Sequence, residues 1–179
     1  AALLGLDFAT ASAVAAEAAE GDVCQAANDN SDGQVVISGH NAAVERAMVI
    51  AKAKGAKRAI MLTVSAPFHC ALMKPAADVM AEALAQVAMK APVVPVVANV
   101  GAAPLSDPSA IRDSLVAQVT GTVRWRESVA YMAARGVTTF YEISDGKVLT
   151  GLVKRIDKSL EARAVGSPAE FDAALAELR

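Results

Sequence analysis

The segment Val64-Ser65-Ala66-Pro67-Phe68-His69-Cys70-Ala71-Leu72-Met73-Lys74-Pro75 lies where the pattern of the sequence changes. It follows an apolar stretch that predicts a strand and precedes a stretch that predicts a long helix. His69 is one of only two histidines in the chain. An imidazole at such a junction can take up and return a proton near neutral pH, although a lone histidine more often packs beneath a loop. The sequence on either side of the segment decides between these interpretations.

The residues before this segment predict a small α+β unit. The predicted elements are a strand at 1–6, a helix at 8–20 with Asp7 as its cap, a strand at 23–27, a turn at 28–33, a strand at 34–38, a helix at 41–54 with Asn41 as its cap, and a strand at 58–64. This β-α-β-β-α-β order is that of a ferredoxin-like module. We therefore expect residues 1–64 to form a ferredoxin-like βαββαβ subdomain.

The residues after it alternate helices with two strands, which predicts an α/β unit with a parallel sheet. The apolar run 92–100 is typical of a buried strand, and a second strand is predicted at 137–143. The predicted helices cover 73–89, 108–119 with Asp107 as its cap, 123–135 and 146–160, and a last one begins at the Ser-x-x-Glu capping box of Ser167. Two strands among so many helices do not complete a sheet.

Composition excludes several classes of protein. A net charge of −2 over 179 residues gives no electrostatic case for nucleic acid. Two cysteines, Cys24 and Cys70, cannot form a disulfide framework and fit a reducing cytoplasm. The longest uncharged run, 91–106, is interrupted by prolines and is too short to span a bilayer, and no secretory signal is recognised. No metal site or redox cofactor is indicated.

Several motifs, taken together and in order, resemble the malonyl-CoA:acyl carrier protein transacylase family. They are Gly33-Gln34-Val35-Val36-Ile37-Ser38-Gly39-His40, the segment from Val64 to Ala76, Pro95-Val96-Val97-Ala98-Asn99-Val100, Leu115-Val116-Ala117-Gln118 and Gly146-Lys147-Val148-Leu149-Thr150-Gly151-Leu152. The resemblance covers nearly the whole chain. It implies that residues 65–179 are the C-terminal part of an α/β-hydrolase-like parallel-sheet core, which makes the fold class α/β.

The resemblance also implies a reaction and its residues. The family moves a malonyl group from coenzyme A to the phosphopantetheine thiol of acyl carrier protein, through an acyl-serine, in fatty acid biosynthesis. Its catalytic base falls on His69, and the residue whose backbone carbonyl orients that base falls on Gln118. In related polyketide acyltransferases, a phenylalanine at the position of Phe68 accompanies selection of malonyl over branched acyl groups, and a plain core aromatic is the alternative. No cofactor beyond these substrates is implied.

Further polar residues are candidates for contact with substrate oxygens. Asn28, Asn30 and Gln34 belong to the predicted turn region beside the cleft, and Asn99 closes the predicted buried strand. The alternatives are turn-forming side chains for the first three and a capping role for Asn99. Cys70 adjoins His69 and invites a Cys-His pair, but neighbours in an extended segment point to opposite sides.

One departure from the family affects the mechanism. The family's nucleophile lies in a Gly-x-Ser-x-Gly turn, and no such motif occurs in this sequence. The family's glutamine-containing loop and the arginine that pairs with the malonyl carboxylate also have no counterpart here. We therefore expect the 179 residues to be the C-terminal portion of such an enzyme, without its N-terminal half, and to have little activity alone.

Basic residues are concentrated between His40 and Lys74. The basic patch consists of Arg46, Lys52, Lys54, Lys57, Arg58 and Lys74, with Glu45 as the one acid in that stretch. Such a patch can steer an acidic carrier protein toward the cleft, and a solvated helix face is the alternative. A second hypothesis for the whole chain is a non-catalytic module that binds carrier protein or another partner, although His69 and Gln118 then have no task.

Overall fold

The computed structural model describes residues 1–178 of the chain. The chain falls into two compact units, one formed by Ala1–Ser128 and the other beginning at Val129. The predicted subdomain boundary at residue 64 lies within the first unit and stays a prediction. No helix among residues 1–178 is both long enough and apolar enough to cross a membrane.

The first unit begins with a four-stranded sheet and two helices. Its elements are β1 (Ala2–Leu4), α1 (Phe8–Ala19), β2 (Cys24–Ser31), β3 (Gln34–Gly39), α2 (Asn41–Ala53) and β4 (Arg58–Ile60). After them come a 3₁₀ turn (Ala71–Met73), α3 (Lys74–Ala85), β5 (Val96–Val97), β6 (Pro104–Leu105), α4 (Pro108–Thr120) and the start of α5 (Trp125–Ala133).

The sheet has the strand order β2-β3-β1-β4 and is antiparallel throughout. Leu3 pairs with Val35 on one side and with Ala59 on the other. The apolar side chains of these strands pack on the small residues of α1 and α2, so Leu3, Val35 and Ala47 are fully buried. This order confirms the ferredoxin-like module that the sequence predicts.

The predicted turn at 28–33 is wrong. β2 continues through Ser31, and only Asp32 and Gly33 form the turn, with Gly33 at a φ of 69°. Residues that favour turns are held extended here because β2 pairs with β3 across two register shifts. Residue exposure then alternates, with Asp29 and Ser31 buried.

Several other boundaries also differ from the predictions. His40, not Asn41, is the N-cap of α2. β4 ends at Ile60 instead of continuing to residue 64, and α3 ends at Ala85 instead of at 89. The helix caps predicted at Asp7 and Asp107 are confirmed, since these carboxylates accept hydrogen bonds from the backbone N–H groups of Thr10 and Ala110.

The predicted buried strand at 92–100 is also wrong. Only Val96 and Val97 are extended, paired with β6, and Val93 and Val94 are exposed. Pro92 and Pro95 have no N–H to donate to a sheet.

The second unit contains β7 (Thr139–Ile143), α6 (Val148–Ile156), β8 (Glu161–Val165) and α7 (Pro168–Glu177). β7 and β8 are parallel, which confirms parallel pairing in this part of the chain. β8 escaped prediction because charged side chains occupy its exposed positions, while Ala162 and Val165 are buried. The predicted capping box is confirmed, with the Ser167 hydroxyl accepting from the Glu170 N–H and the Glu170 carboxylate accepting from the Gly166 N–H.

Candidate active site

A cleft of about 860 Å³ opens on one side of the four-stranded sheet. Its walls come from β2, β3, the N-terminal turn of α2 and the segment that follows β4. Its lining includes Asn28, Asn30, Val36, Ser38, Gly39, His40, Asn41, Glu45, Met61, Ser65, Phe68, His69 and Leu72. Gly39 permits the close approach of β2 here, because a Cβ at that position would lie 2.0 Å from the Val23 carbonyl oxygen.

His69 is held by one main-chain contact. Its Nδ1 lies 2.8 Å from the carbonyl oxygen of Gln118. A carbonyl can only accept, so Nδ1 carries the proton and Nε2 of the neutral ring is left with a lone pair. His69 is one of the residues that line the cleft, and Nε2 is the ring nitrogen that remains able to accept a proton.

The backbone at His69 is unusual. Its φ is 60°, in the left-handed region that residues other than glycine seldom adopt. Strained backbone of this kind persists where surrounding contacts determine it, and it is concentrated at functional sites. The backbone is therefore not extended at His69 as the sequence suggested, and the alternation of neighbouring side chains in a strand does not hold for His69 and Cys70.

The Gln118 carbonyl is available because it lies in the last turn of α4, where carbonyls have no partner within the helix. The side-chain oxygen of Gln118 accepts a hydrogen bond of 3.1 Å from the Asn99 amide. Asn99 therefore acts behind Gln118, and neither residue belongs to the lining of the cleft.

The chain that follows α4 is fastened to β2. The Thr122 hydroxyl donates to the Ala26 carbonyl at 2.7 Å. The Val123 N–H donates to the Ala27 carbonyl, and the Asp29 N–H donates to the Val123 carbonyl, each at 2.8 Å. The strand that supplies Asn28 and Asn30 to the cleft thus also supports the segment after Gln118.

An ion pair with a buried carboxylate strengthens this attachment, and the sequence analysis did not predict it. The guanidinium of Arg126 bonds both carboxylate oxygens of Asp29, with Nη2 2.8 Å from Oδ2. Asp29 is 1% exposed. The hydrogen bond to Asp29 raises the pKa of Arg126 above its ordinary value. The sequence offered one signal of this pair. Asp29 lies between the cleft-lining residues Asn28 and Asn30, so in a strand its side chain points to the opposite face.

The predicted site residues fall into two groups. Asn28, Asn30 and Phe68 line the cleft with His69, and Phe68 is about half-exposed there and is not a core residue. Gln34, like Asn99 and Gln118, lies outside the lining. The structure also brings Glu45 and Ser65 to the cleft, and the sequence reasoning had not singled them out.

The neighbouring cysteine and the second histidine have structural partners. Cys70 is fully buried, and its thiol donates to the Pro67 carbonyl at 3.2 Å. Nδ1 of His40 accepts from the Val23 N–H at 3.0 Å. Both side chains therefore support the local backbone around the cleft. Among residues 1–178, no cluster of three or more His, Cys, Asp or Glu side chains is arranged to hold a metal ion.

Half of the basic patch is engaged within the fold. Arg46 bonds the carbonyls of Ala18 and Ala19 and pairs with Asp22 and Glu20, which joins α2 to α1. Lys54 pairs with Glu17, and Lys74 pairs with Asp78. No ion pair within the described part of the chain involves Lys52, Lys57 or Arg58.

Comparison with known proteins gives consistent matches. A family model described as the acyl transferase domain matches residues 2–170. The chain is 53% identical over 176 residues to the malonyl CoA-acyl carrier protein transacylase of Salmonella typhimurium, covering 98% of this chain and 57% of that relative. The chain thus spans somewhat more than half the length of the curated relative.

Comparison with solved structures gives matches of the same kind. An acyl-carrier-protein-S-malonyltransferase from Bartonella henselae has a TM-score of 0.93 at 53% identity, over 99% of this chain and 56% of its own. A structure described as a type II PKS acyl-carrier protein in complex with its malonyl-transacylase has a TM-score of 0.93 at 45% identity, over 98% of this chain and 57% of its own.

Proposed function

The chain belongs to the acyl transferase domain family, and we propose that it forms part of a malonyl-CoA:acyl carrier protein transacylase. Such an enzyme transfers malonyl from coenzyme A to the phosphopantetheine thiol of the carrier protein in fatty acid biosynthesis. The observation that carries the proposal is the contact between His69 Nδ1 and the Gln118 carbonyl beside an open cleft. It leaves Nε2 of a cleft-lining residue as the nitrogen that can act as a base.

His69 serves two half-reactions. In the first, Nε2 accepts the proton of a serine hydroxyl while that oxygen attacks the thioester carbonyl, and the imidazolium then protonates the departing coenzyme A thiolate. In the second, Nε2 accepts the proton of the phosphopantetheine thiol, whose sulfur attacks the malonyl ester, and the proton returns to the serine oxygen. No redox step occurs, so the chemistry requires no cofactor besides the two thioester-forming thiols.

A backbone carbonyl is a suitable group to orient the His69 imidazole when the substrate carries a carboxylate. A carboxylate behind the imidazole would add a negative charge near the malonyl carboxylate, whereas a carbonyl fixes the tautomer without a full charge. Asn28 and Asn30 supply amide donors at the cleft that can bind the carbonyl or carboxylate oxygens of malonyl. Phe68 is an apolar residue of the lining of the same cleft and favours the unbranched acyl group.

The serine is not supplied by a Gly-x-Ser-x-Gly motif of this sequence. Loss of the nucleophile from a hydrolytic triad costs on the order of 10⁶ in kcat. The 179 residues by themselves are therefore inactive in transfer, while they retain the base.

The carrier protein is the proposed macromolecular partner. Acyl carrier proteins are acidic, and Lys52, Lys57 and Arg58 are the members of the basic patch with no ion pair in the described chain. They are available to attract an acidic partner.

The two free thiols, Cys24 and Cys70, suit a reducing cytoplasm.

The test measures malonyl transfer from malonyl-CoA to carrier protein by the product of the complete reading frame and by the 179 residues alone. We expect transfer by the former, loss of about 10³-fold in kcat on His69→Ala, and no transfer by the latter. A His40→Gln variant controls for loss of an imidazole and should lose less than about tenfold.

Two results would overturn the proposal. One is an intact protein that binds carrier protein but transfers no malonyl, which favours a binding module. The other is a His69→Ala variant with the activity of the wild type.

A further inference from the structure

Two consecutive residues of β2 form hydrogen bonds with the two chain segments that carry His69 and Gln118. The side-chain oxygen of Gln25 accepts from the Ala71 N–H at 2.7 Å, just after His69. The carbonyl of the next residue, Ala26, accepts from the Thr122 hydroxyl at 2.7 Å, four residues after Gln118. β2 therefore binds the segments that carry both partners, through two residues that do not line the cleft.

The histidine side needs this support. His69 has a φ of 60°, and a residue other than glycine keeps that conformation only where its neighbours are fixed. The Phe68 N–H donates to the Ala66 carbonyl, which fixes the chain before it. After it, Ala71 begins a 3₁₀ turn of three residues, whose first N–H has no partner in the turn. Gln25 supplies that partner.

The Gln118 side needs support for a different reason. Its carbonyl is in the last turn of α4, where helix ends fray. α4 stops at Thr120, and Gly121 is extended. The Thr122 bond to Ala26 and the two backbone bonds of Val123 to β2 fix the direction in which the chain leaves the helix.

We propose that β2 positions the reacting histidine, with Gln25 and Thr122 as positioning residues that set the approach of His69 Nδ1 to the Gln118 carbonyl. The inference rests on the transfer reaction proposed above. Neither side chain touches substrate in this scheme. Each acts through the Nδ1 contact, so each influences the fraction of His69 whose Nε2 is free to accept a proton.

The experiment uses matched pairs in the product of the complete reading frame. Gln25→Met removes the acceptor at similar size, and Gln25→Glu retains it. Thr122→Val removes the donor at similar size, and Thr122→Ser retains it. Gln86→Met, at the exposed C-terminal end of α3, controls for the loss of a surface glutamine.

Two measurements separate positioning from general stability. We expect Gln25→Met and Thr122→Val each to lower kcat about fivefold, with the KM for malonyl-CoA within twofold. We also expect long-range ¹H–¹⁵N NMR, with the His69 signal assigned by its loss in His69→Ala, to show a smaller Nδ1–H fraction in both. Gln25→Glu and Thr122→Ser should restore both values, and Gln86→Met should change neither.

A double variant adds a further requirement. Because both residues act through one contact, Gln25→Met with Thr122→Val should lose clearly less than the product of the single losses. Should one loss variant fail to fold, the pair at the other residue carries the same test. Equal losses for Gln25→Met and Gln25→Glu, or an unchanged tautomer in both loss variants, would overturn the inference. The NMR result is read independently of transfer, so a wild type without activity would count against the proposed function alone.

Discussion

Nδ1 of His69 lies 2.8 Å from the carbonyl oxygen of Gln118, across 49 residues of sequence. Because the acceptor is a main-chain atom, replacing the Gln118 side chain leaves it in place. We expect Gln118→Ala to lower kcat by less than about fivefold, because the variant loses only the side-chain hydrogen bond from Asn99. The kcat of the intact protein in malonyl transfer checks this, beside the far larger loss on His69→Ala. A Gln118→Ala variant as slow as His69→Ala would assign the orienting role to the side chain.

The sequence predicted the parts of the fold that depend on local chemistry. The caps at Asp7, Asp107 and Ser167 and the order of the ferredoxin-like sheet follow from residue types and apolar spacing. The turn prediction for 28–33 was wrong because strand pairing overrode the turn preference of Asn and Asp. The strand prediction for 92–100 was wrong because an apolar run forms a strand only where its backbone can pair, and Pro92 and Pro95 prevent that locally.

The same distinction applies to the site. The motif around His69 indicated the base, and the family resemblance assigned Gln118. Neither indicated that Asp29 of the cleft-lining strand, whose carboxylate is buried, forms an ion pair with Arg126, 97 residues away. Long-range pairing of this kind leaves no periodic signal in a single sequence.

The Asp29–Arg126 pair predicts an asymmetric response to substitution. Asp29 is 1% exposed, whereas the Arg126 side chain is 34% exposed. Arg126→Leu leaves a buried carboxylate without its partner and should lower the free energy of unfolding by about 3 kcal/mol. Asp29→Asn leaves a cation that can reach water and keeps one acceptor, and it should cost about half as much. Urea unfolding of each variant measures the difference, and a larger loss for Asp29→Asn would contradict this account.

The hydrogen bonds of Glu142 predict that the stability of the second unit depends on pH in the acid range. Burial acts to raise its pKa, but hydrogen bonds from the N–H and hydroxyl of Thr150, the N–H of Leu149 and the hydroxyl of Ser144 act against it, and the pKa lies below the ordinary value of 4.5. A carboxyl with a lowered folded pKa stabilises the fold above its unfolded pKa, and that contribution is lost as the pH falls through the folded value. The second unit should therefore lose stability as the pH falls below 4.5.

Glu142→Gln tests this origin. A glutamine offers one acceptor oxygen where the carboxylate offers two, so we expect a loss of about 2 kcal/mol at pH 7. The variant should also lose the part of the acid sensitivity that Glu142 contributes. Thermal unfolding from pH 7 to pH 3 measures both effects, with Thr150→Ser as a control that retains a hydroxyl. An acid response in Glu142→Gln equal to that of the wild type would assign the sensitivity to other carboxyls.

The proposed attraction of an acidic carrier protein to the basic patch predicts a salt-dependent KM for carrier protein. Arg46 is unsuitable for the test, because its bonds to α1 make reversal a change in stability. We propose Lys52→Glu, Lys57→Glu and Arg58→Glu together, and we expect the KM for carrier protein to rise several-fold at low ionic strength, with the KM for malonyl-CoA unchanged. The difference should shrink at 1 M salt, where the screening length is about 3 Å.

The control for this triple variant carries the same change in net charge elsewhere. Lys90, Lys154 and Lys158 are exposed and lie outside the basic patch, so their reversal to Glu should leave the KM for carrier protein close to the wild-type value. Steady-state kinetics with varied carrier protein compares the two triple variants. If both raise the KM equally, net charge alone explains the effect; if neither does, the carrier protein docks on another surface and the patch is a solvated face of the subdomain.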